Sequence, residues 1–130
     1  MEENMKKEVS TGNAPAAVGP YSQAIVAGPF LFASGQIPLD PATGSIVGET
    51  AVEQAEQVFK NIEAVLAAEG LGMKDVVKTN VFLTDLNDFG PVNEVYAKHF
   101  AKPFPGRSCV QISALPKGAR IECEVIAYKG

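Results

Sequence analysis

The amino-acid sequence predicts an α+β fold in which a mixed β-sheet carries two helices on one face. Three observations lead there. Short runs rich in β-branched and aromatic residues recur along the chain; two longer stretches place apolar residues three and four positions apart; and the two kinds of segment alternate in the order ββ-α-β-α-ββ. Helices of this length between strands suit crossovers that leave both on the same side of the sheet. The 130 residues, 46% of them hydrophobic, supply one core and are read as one domain, 1–130.

The first 20 residues are polar and then rich in Ala, Gly and Pro, which favours an irregular lead-in with room for a short edge strand. Ala24 to Ala27 and Phe30 to Ser34, divided by Gly28-Pro29, read as a strand pair joined by a tight turn. Pro38 to Gly48, with Asp40-Pro41 and Gly44, lacks periodicity and reads as a surface loop. Thr50 stands three residues before Glu53, so the two side chains can satisfy free N–H groups at a helix start in a capping box. Val52, Ala55, Phe59, Ile62 and Leu66 then form an apolar stripe that Val58 and Val65 widen, and Gly70 supplies a stop.

Val76 to Leu83 has strand composition. Leu86, Phe89, Val92, Tyr96 and Phe100 mark a second helix, ended by Pro103 and Pro105. Two last strands, Arg107 to Ser113 and Arg120 to Tyr128, flank a Pro- and Gly-containing connection and are read as a hairpin. Phe59, Phe82, Phe89 and Phe100 are read as core. The sheet face away from the helices needs cover from neighbouring subunits or a polar surface.

With a net charge of −4 and scattered acidic residues, the chain lacks the concentrated positive field that phosphate backbones require, which argues against nucleic acid as principal partner. No apolar run approaches the roughly 20 residues that span a bilayer. Met1 to Ser10 is charged with no hydrophobic region following it, so no membrane partner and a cytoplasmic location are expected. Cys109 and Cys123 form neither a disulfide framework nor a zinc-site pattern, and no metal site is expected. A core of this size leaves a modest stability margin, which makes burial between subunits an attractive supplement.

Alternation along the last two strands places Val110 and Ile112 on one face, as it does Ile121, Cys123 and Val125, and these sets are assigned to the core. Arg107, Cys109 and Gln111 then share the opposite face with Glu122 and Glu124. A hairpin would set Arg107, a permanent cation, near the Glu122 carboxylate. It would also put the two cysteines on opposite faces, against a disulfide between them. Cys109 can be weighed as a nucleophile or as a small packed side chain, and no base signature stands near it.

Several blocks, in order, carry a family resemblance: Gly19-Pro20-Tyr21-Ser22-Gln23-Ala24, Ala33-Ser34-Gly35-Gln36-Ile37-Pro38, Lys78-Thr79-Asn80-Val81-Phe82-Leu83 with Asp85-Leu86, and Gly106-Arg107-Ser108-Cys109-Val110 through Leu115-Pro116 to Ile121-Glu122. From about Asn13 to the end the chain resembles the RidA branch of the YjgF/YER057c/UK114 family. The resemblance implies a chorismate-mutase-like fold, a homotrimer with a barrel-like assembly, active sites between subunits and no cofactor. It implies a 2-iminobutanoate/2-iminopropanoate deaminase, turning short 2-imino acids into 2-oxo acids and ammonia.

By the same resemblance Arg107 would bind the substrate carboxylate, Glu122 would serve the attacking water, and the Cys109 carbonyl would help hold that water. Ser34 and Gly35 would face the substrate, Tyr21 would line the pocket, and Asn93 is a further pocket residue. Without the family, Arg107 and Glu122 read more readily as a surface ion pair, Tyr21 as a packed side chain, and Gly35 as a backbone necessity. His99, near a helix end, reads as structural. Competing functions are a non-enzymatic trimer that binds small carboxylates or acts as a chaperone-like surface and, with less support from charge and a single histidine, an endoribonuclease that restrains translation.

Overall fold

The computed structural model describes residues 5–130; the start of the charged Met1 to Ser10 segment lies outside them. The elements run β1 (Lys6–Val9), β2 (Ala24–Ala27), β3 (Phe30–Gln36), α1 (Ala51–Ala67), β4 (Val76–Leu83), α2 (Phe89–His99), β5 (Gly106–Gln111) and β6 (Ile121–Tyr128). The expected order stands, with the edge strand β1 added in the lead-in. The strands form one six-stranded sheet in the order β1-β2-β3-β6-β4-β5, in which β4 and β5 pair parallel and all other neighbours antiparallel.

Helix α1 begins as its sequence dictates. Thr50 Oγ1 accepts from Glu53 N, and Glu53 Oε1 accepts from Thr50 N and Glu49 N, closing the capping box. Phe59, Ile62, Val65 and Leu66 are fully buried against the sheet, and Gly70 takes the left-handed conformation (φ 73°) that ends the helix. Helix α2 packs beside α1 through Val92, Val95 and Tyr96. Phe59 meets Tyr96 and Phe100 edge-on, with ring centroids 5.9 and 5.6 Å apart. Of the four phenylalanines assigned to the core, Phe59 and Phe100 are there, Phe82 is half-buried on the face away from the helices, and Phe89 is exposed.

The expected β5–β6 hairpin does not form, because β4 lies between the two strands. Helix α2 carries the chain back toward the start of β4, so β5 must enter parallel to it; β6 then takes the opposite edge of β4. The connection crosses the end of β4, where Ile112 N donates to Leu83 O and Thr84 N to Arg120 O. This insertion also reverses the facing assigned to β5. Register pairs Val81 with both Cys109 and Cys123, so both cysteines share the helix side with buried Val81, and Val110 stands 46% exposed on the other face. One strand separates the cysteines, about 10 Å, too far for a disulfide, and both are free.

The face without helices is not polar throughout. Phe30, Phe32 and Tyr128 form an exposed aromatic cluster on it, with Phe30 5.6 Å from Tyr128 and 6.4 Å from Phe32. No helix among the described residues is long and apolar enough to cross a membrane.

Candidate functional site

The residues singled out in the sequence fall into two groups on opposite faces of the sheet. On the helix side Arg107 pairs in register with Thr79, whose side chain is buried under α2. Tyr96 is locked there by its hydroxyl, 2.9 Å from Thr79 Oγ1; burial pushes that phenol's pKa up, with the Thr79 bond opposing. Arg107 lies across this platform, its Cζ 4.7 Å from the Tyr96 ring centroid and 5.2 Å from that of Phe89. Asn93 Oδ1 accepts from Arg107 Nη1 at 2.6 Å. Among the described residues no carboxylate pairs with Arg107. A planar cation held by stacking and one amide keeps the rest of its fork for an outside anion, in an open cavity of about 370 Å³ shared with Phe104 and Pro105.

Cys109 follows on the same face, half-buried against the core. Burial raises its thiol pKa, and nearby Arg107 only partly opposes this, so the side chain is a thiol rather than an activated thiolate.

On the open face Glu122 pairs in register with Phe82 and sits beside Gly35. A β-bulge brings them together: Ala33 pairs with Val125 and Gln36 with Cys123, so β3 spends one extra residue where Ser34 and Gly35 pass β6. A Cβ on Gly35 would stand 2.8 Å from Glu122 Cδ and Oε2, so the carboxylate lies directly over the glycine. The glycine is required by this close approach and not by a left-handed backbone, since its φ is not in that region. Ser34 Oγ donates to Ser22 O at 2.6 Å, so its proton is committed to holding the segment before β2 that carries Tyr21. Tyr21, 51% exposed, lines a cavity of about 580 Å³ with Gly35, Glu122 and Glu124. Burial, and next the like charge of Glu124, push the Glu122 carboxyl above its ordinary pKa of 4.5. Asn80 Nδ2 fixes Glu124 by donating to its Oε1 at 3.2 Å.

The structure therefore unites Arg107 with Asn93, and Glu122 with Gly35, Ser34 and Tyr21, but separates Arg107 from Glu122 by the sheet. The expected ion pair within one chain does not exist. His99 is structural in placement, its Nε2 2.7 Å from Glu56 Oε1 between the two helices.

Sequence reasoning passed over the amides that build the walls. Buried Gln23 accepts from Thr11 N and donates to the carbonyls of Thr11, Ala14 and Pro15, pinning the lead-in beside Tyr21. Asn61 donates to Ile37 O and Leu39 O, and Gln54 links Gly48 O to Arg120 N. The available signal was an amide inside an otherwise apolar stripe, as at Asn61 beside Ile62, which needs buried partners. No group of histidine, cysteine and carboxylate side chains suited to a metal occurs among the described residues.

Comparison with known proteins agrees with this architecture. The family model described as Endoribonuclease L-PSP matches residues 11–129. A RutC family protein of Pyrococcus horikoshii is 53% identical over 125 residues, covering 96% of this chain and 99% of its own length. The mouse protein named 2-iminobutanoate/2-iminopropanoate deaminase is 46% identical over 130 residues, covering 100% of this chain and 96% of its own. The crystal structure of a putative endoribonuclease from Thermotoga maritima superposes with a TM-score of 0.93 at 49% identity, covering 97% of this chain and 99% of that one.

Proposed function

From the premise that this chain belongs to the endoribonuclease L-PSP family, in the YjgF/RidA grouping that includes named imine deaminases, we propose that it hydrolyses short 2-imino acids to 2-oxo acids and ammonia without a cofactor. The single observation that carries the reading is the paired design of the two faces. One offers an unpaired, stacked guanidinium suited to a carboxylate; the other offers a half-buried carboxylate with raised proton affinity, suited to handling water. Neither half suffices alone.

The halves act together when two chains of a homotrimer appose them, Arg107 and Asn93 from one subunit and Glu122, Gly35 and Tyr21 from its neighbour. The exposed Phe30, Phe32 and Tyr128 on the open face favour such apposition, because apolar surface of this kind gains from leaving water. In the cleft Arg107 grips the substrate carboxylate and so fixes the C=N carbon relative to Glu122, a positioning effect. The Cys109 carbonyl and Glu122 hold a water. As its oxygen bonds to the imine carbon, Glu122 takes the proton, and the C=N electron pair moves to nitrogen. With the imine entering in its protonated form, Glu122 returns that proton to the nitrogen, which becomes an ammonium; the C–N bond breaks with its electron pair leaving on ammonia, the carbinol hydroxyl's proton passes to that ammonia, and a 2-oxo acid and ammonium result. General acid–base assistance of this kind contributes about 10²- to 10⁴-fold.

RNA cleavage is the weaker reading, because Glu122 and Glu124 both face the open-side cavity and would repel a phosphate backbone. A carboxylate-binding protein without catalysis would need only the Arg107 half. The deciding experiment measures ammonia release from freshly generated 2-iminopropanoate and 2-iminobutanoate by the wild type, Arg107→Ala and Glu122→Gln. Acceleration by the wild type, lost in both folded variants, is expected. Binding of 2-oxobutanoate with no acceleration in the wild type would leave only the binding role.

A further inference from the structure

Lys117 is, among the described residues, the one non-glycine residue with positive φ (58°), and Gly118 after it has φ 70°. L-residues rarely adopt this conformation, and they persist in it where surrounding contacts demand it. The contact at hand is specific: Lys117 Nζ donates to Gly44 O at 2.9 Å, across 73 residues of sequence.

Gly44 lies at the tip of the loop that follows β3. The loop is narrow, closed by an isolated bridge between Leu39 and Ile46 and by Gly44 N donating to Asp40 O and Val47 N to Pro38 O. Its base is fixed by the Asn61 and Gln54 amides. Among the described residues, the hydrogen bond that reaches its tip from outside the loop is that of Lys117. Ile37 and Leu39 at the start of the loop and Pro116 and Lys117 of the turn all line the cavity in which Glu122 lies.

We propose that Lys117 is a specificity-determining residue that ties the loop tip to the Pro116 turn, fixes the width of the cavity over Glu122, and so limits the length of the aliphatic side chain admitted on a 2-imino acid. This rests on the imino-acid reading above and extends it to substrate choice. The bond is exposed to water, so it opens more readily than the buried amide contacts at the loop base, and its loss lets the tip move without unfolding the sheet.

The test compares wild type with Lys117→Met, which keeps the stem and loses the donor, Lys117→Arg, which keeps a donor, and Lys117→Gly, which loses the donor and relieves the backbone. Imines are generated in the assay by an amino-acid oxidase acting on 2-aminobutanoate or on leucine. The expected result is a rise of about fivefold or more in kcat/KM for the leucine-derived imine relative to the four-carbon one in Lys117→Met and Lys117→Gly, carried by KM, since differences of this kind in apolar pockets span about 10- to 200-fold per methylene at their fullest. Lys117→Arg restores the wild-type ratio. Amide hydrogen exchange at Gly44 to Val47 rises in Lys117→Met whether or not substrate is present. An unchanged ratio and unchanged exchange in a folded Lys117→Met overturn the proposal while leaving imine hydrolysis intact; a wild type that hydrolyses neither imine overturns both.

Discussion

Two variants, each without activity, are expected to make an active enzyme when mixed. On the proposed mechanism, Arg107→Ala removes the group on the helix side of the sheet that would hold the substrate carboxylate, and Glu122→Ala removes the carboxylate on the open side that would handle water. Because one chain presents these residues on opposite faces, a site that uses both takes them from different chains. In a cyclic trimer with three such sites, any mixed trimer contains one site with Arg107 from the first variant's partner and Glu122 from the first variant. Equal mixing by joint refolding puts three-quarters of the trimers in mixed form, so activity returns to about a quarter of the wild-type value per trimer. Unmixed proteins combined without refolding give none, provided subunits do not exchange during the assay. Ammonia release from 2-iminobutanoate is the readout, with native mass spectrometry to count chains. A refolded mixture that forms mixed trimers yet stays inactive would refute the composite site.

Other consequences follow from contacts already described. Gly35→Ala inserts a Cβ 2.8 Å from the Glu122 carboxyl, which must retreat by about half an ångström or more; with misplacements near 1 Å costing about 10²-fold, kcat should fall about ten- to a hundredfold in a protein that still folds. Glu124→Gln removes a like charge beside Glu122 and should move the acid limb of the pH–kcat/KM profile to lower pH, because Glu122 must be ionised to accept a proton and Glu124 raises its proton affinity; a limb that stays put removes Glu124 from this role. Tyr96→Phe strands the fully buried Thr79 hydroxyl and should cost about 1–3 kcal/mol in urea unfolding, most of it recovered in the Thr79→Val/Tyr96→Phe double variant.

Local signals in the sequence were sufficient for both helices and for five of the six strands, β1 being the exception. The Thr50–Glu53 box, the Phe59–Ile62–Leu66 stripe and Gly70 each act within a few residues, and helix α1 occupies Ala51–Ala67 as they dictate. Strand alternation was equally reliable along β6, where Ile121, Cys123, Val125 and Ala127 are buried because that strand lies inside the sheet with helices over one face. Strand order is another matter. It depends on which edge remains free after the β4–α2–β5 crossover, a property of the whole chain with no mark in the residues of β5 or β6.

The facing of β5 fails for a related reason that bears on function. As an edge strand it has one neighbour, and its apolar Val110 lies on the open face, with exposed surface that the trimer would cover, while Arg107 and Cys109 take the helix side. A face assigned from hydrophobicity alone therefore inverts where an edge strand turns an apolar side chain away from the core, as β5 does with Val110. The same inversion explains why Arg107 and Glu122, placed on one face by the alternation pattern, stand on opposite sides of the sheet. On the proposed reading, the stacked guanidinium on one face and the carboxylate over the glycine bulge on the other are the two halves of a composite site. Within one chain this separation keeps Arg107 from an intramolecular carboxylate and leaves Glu122 with the raised proton affinity that burial and Glu124 give it.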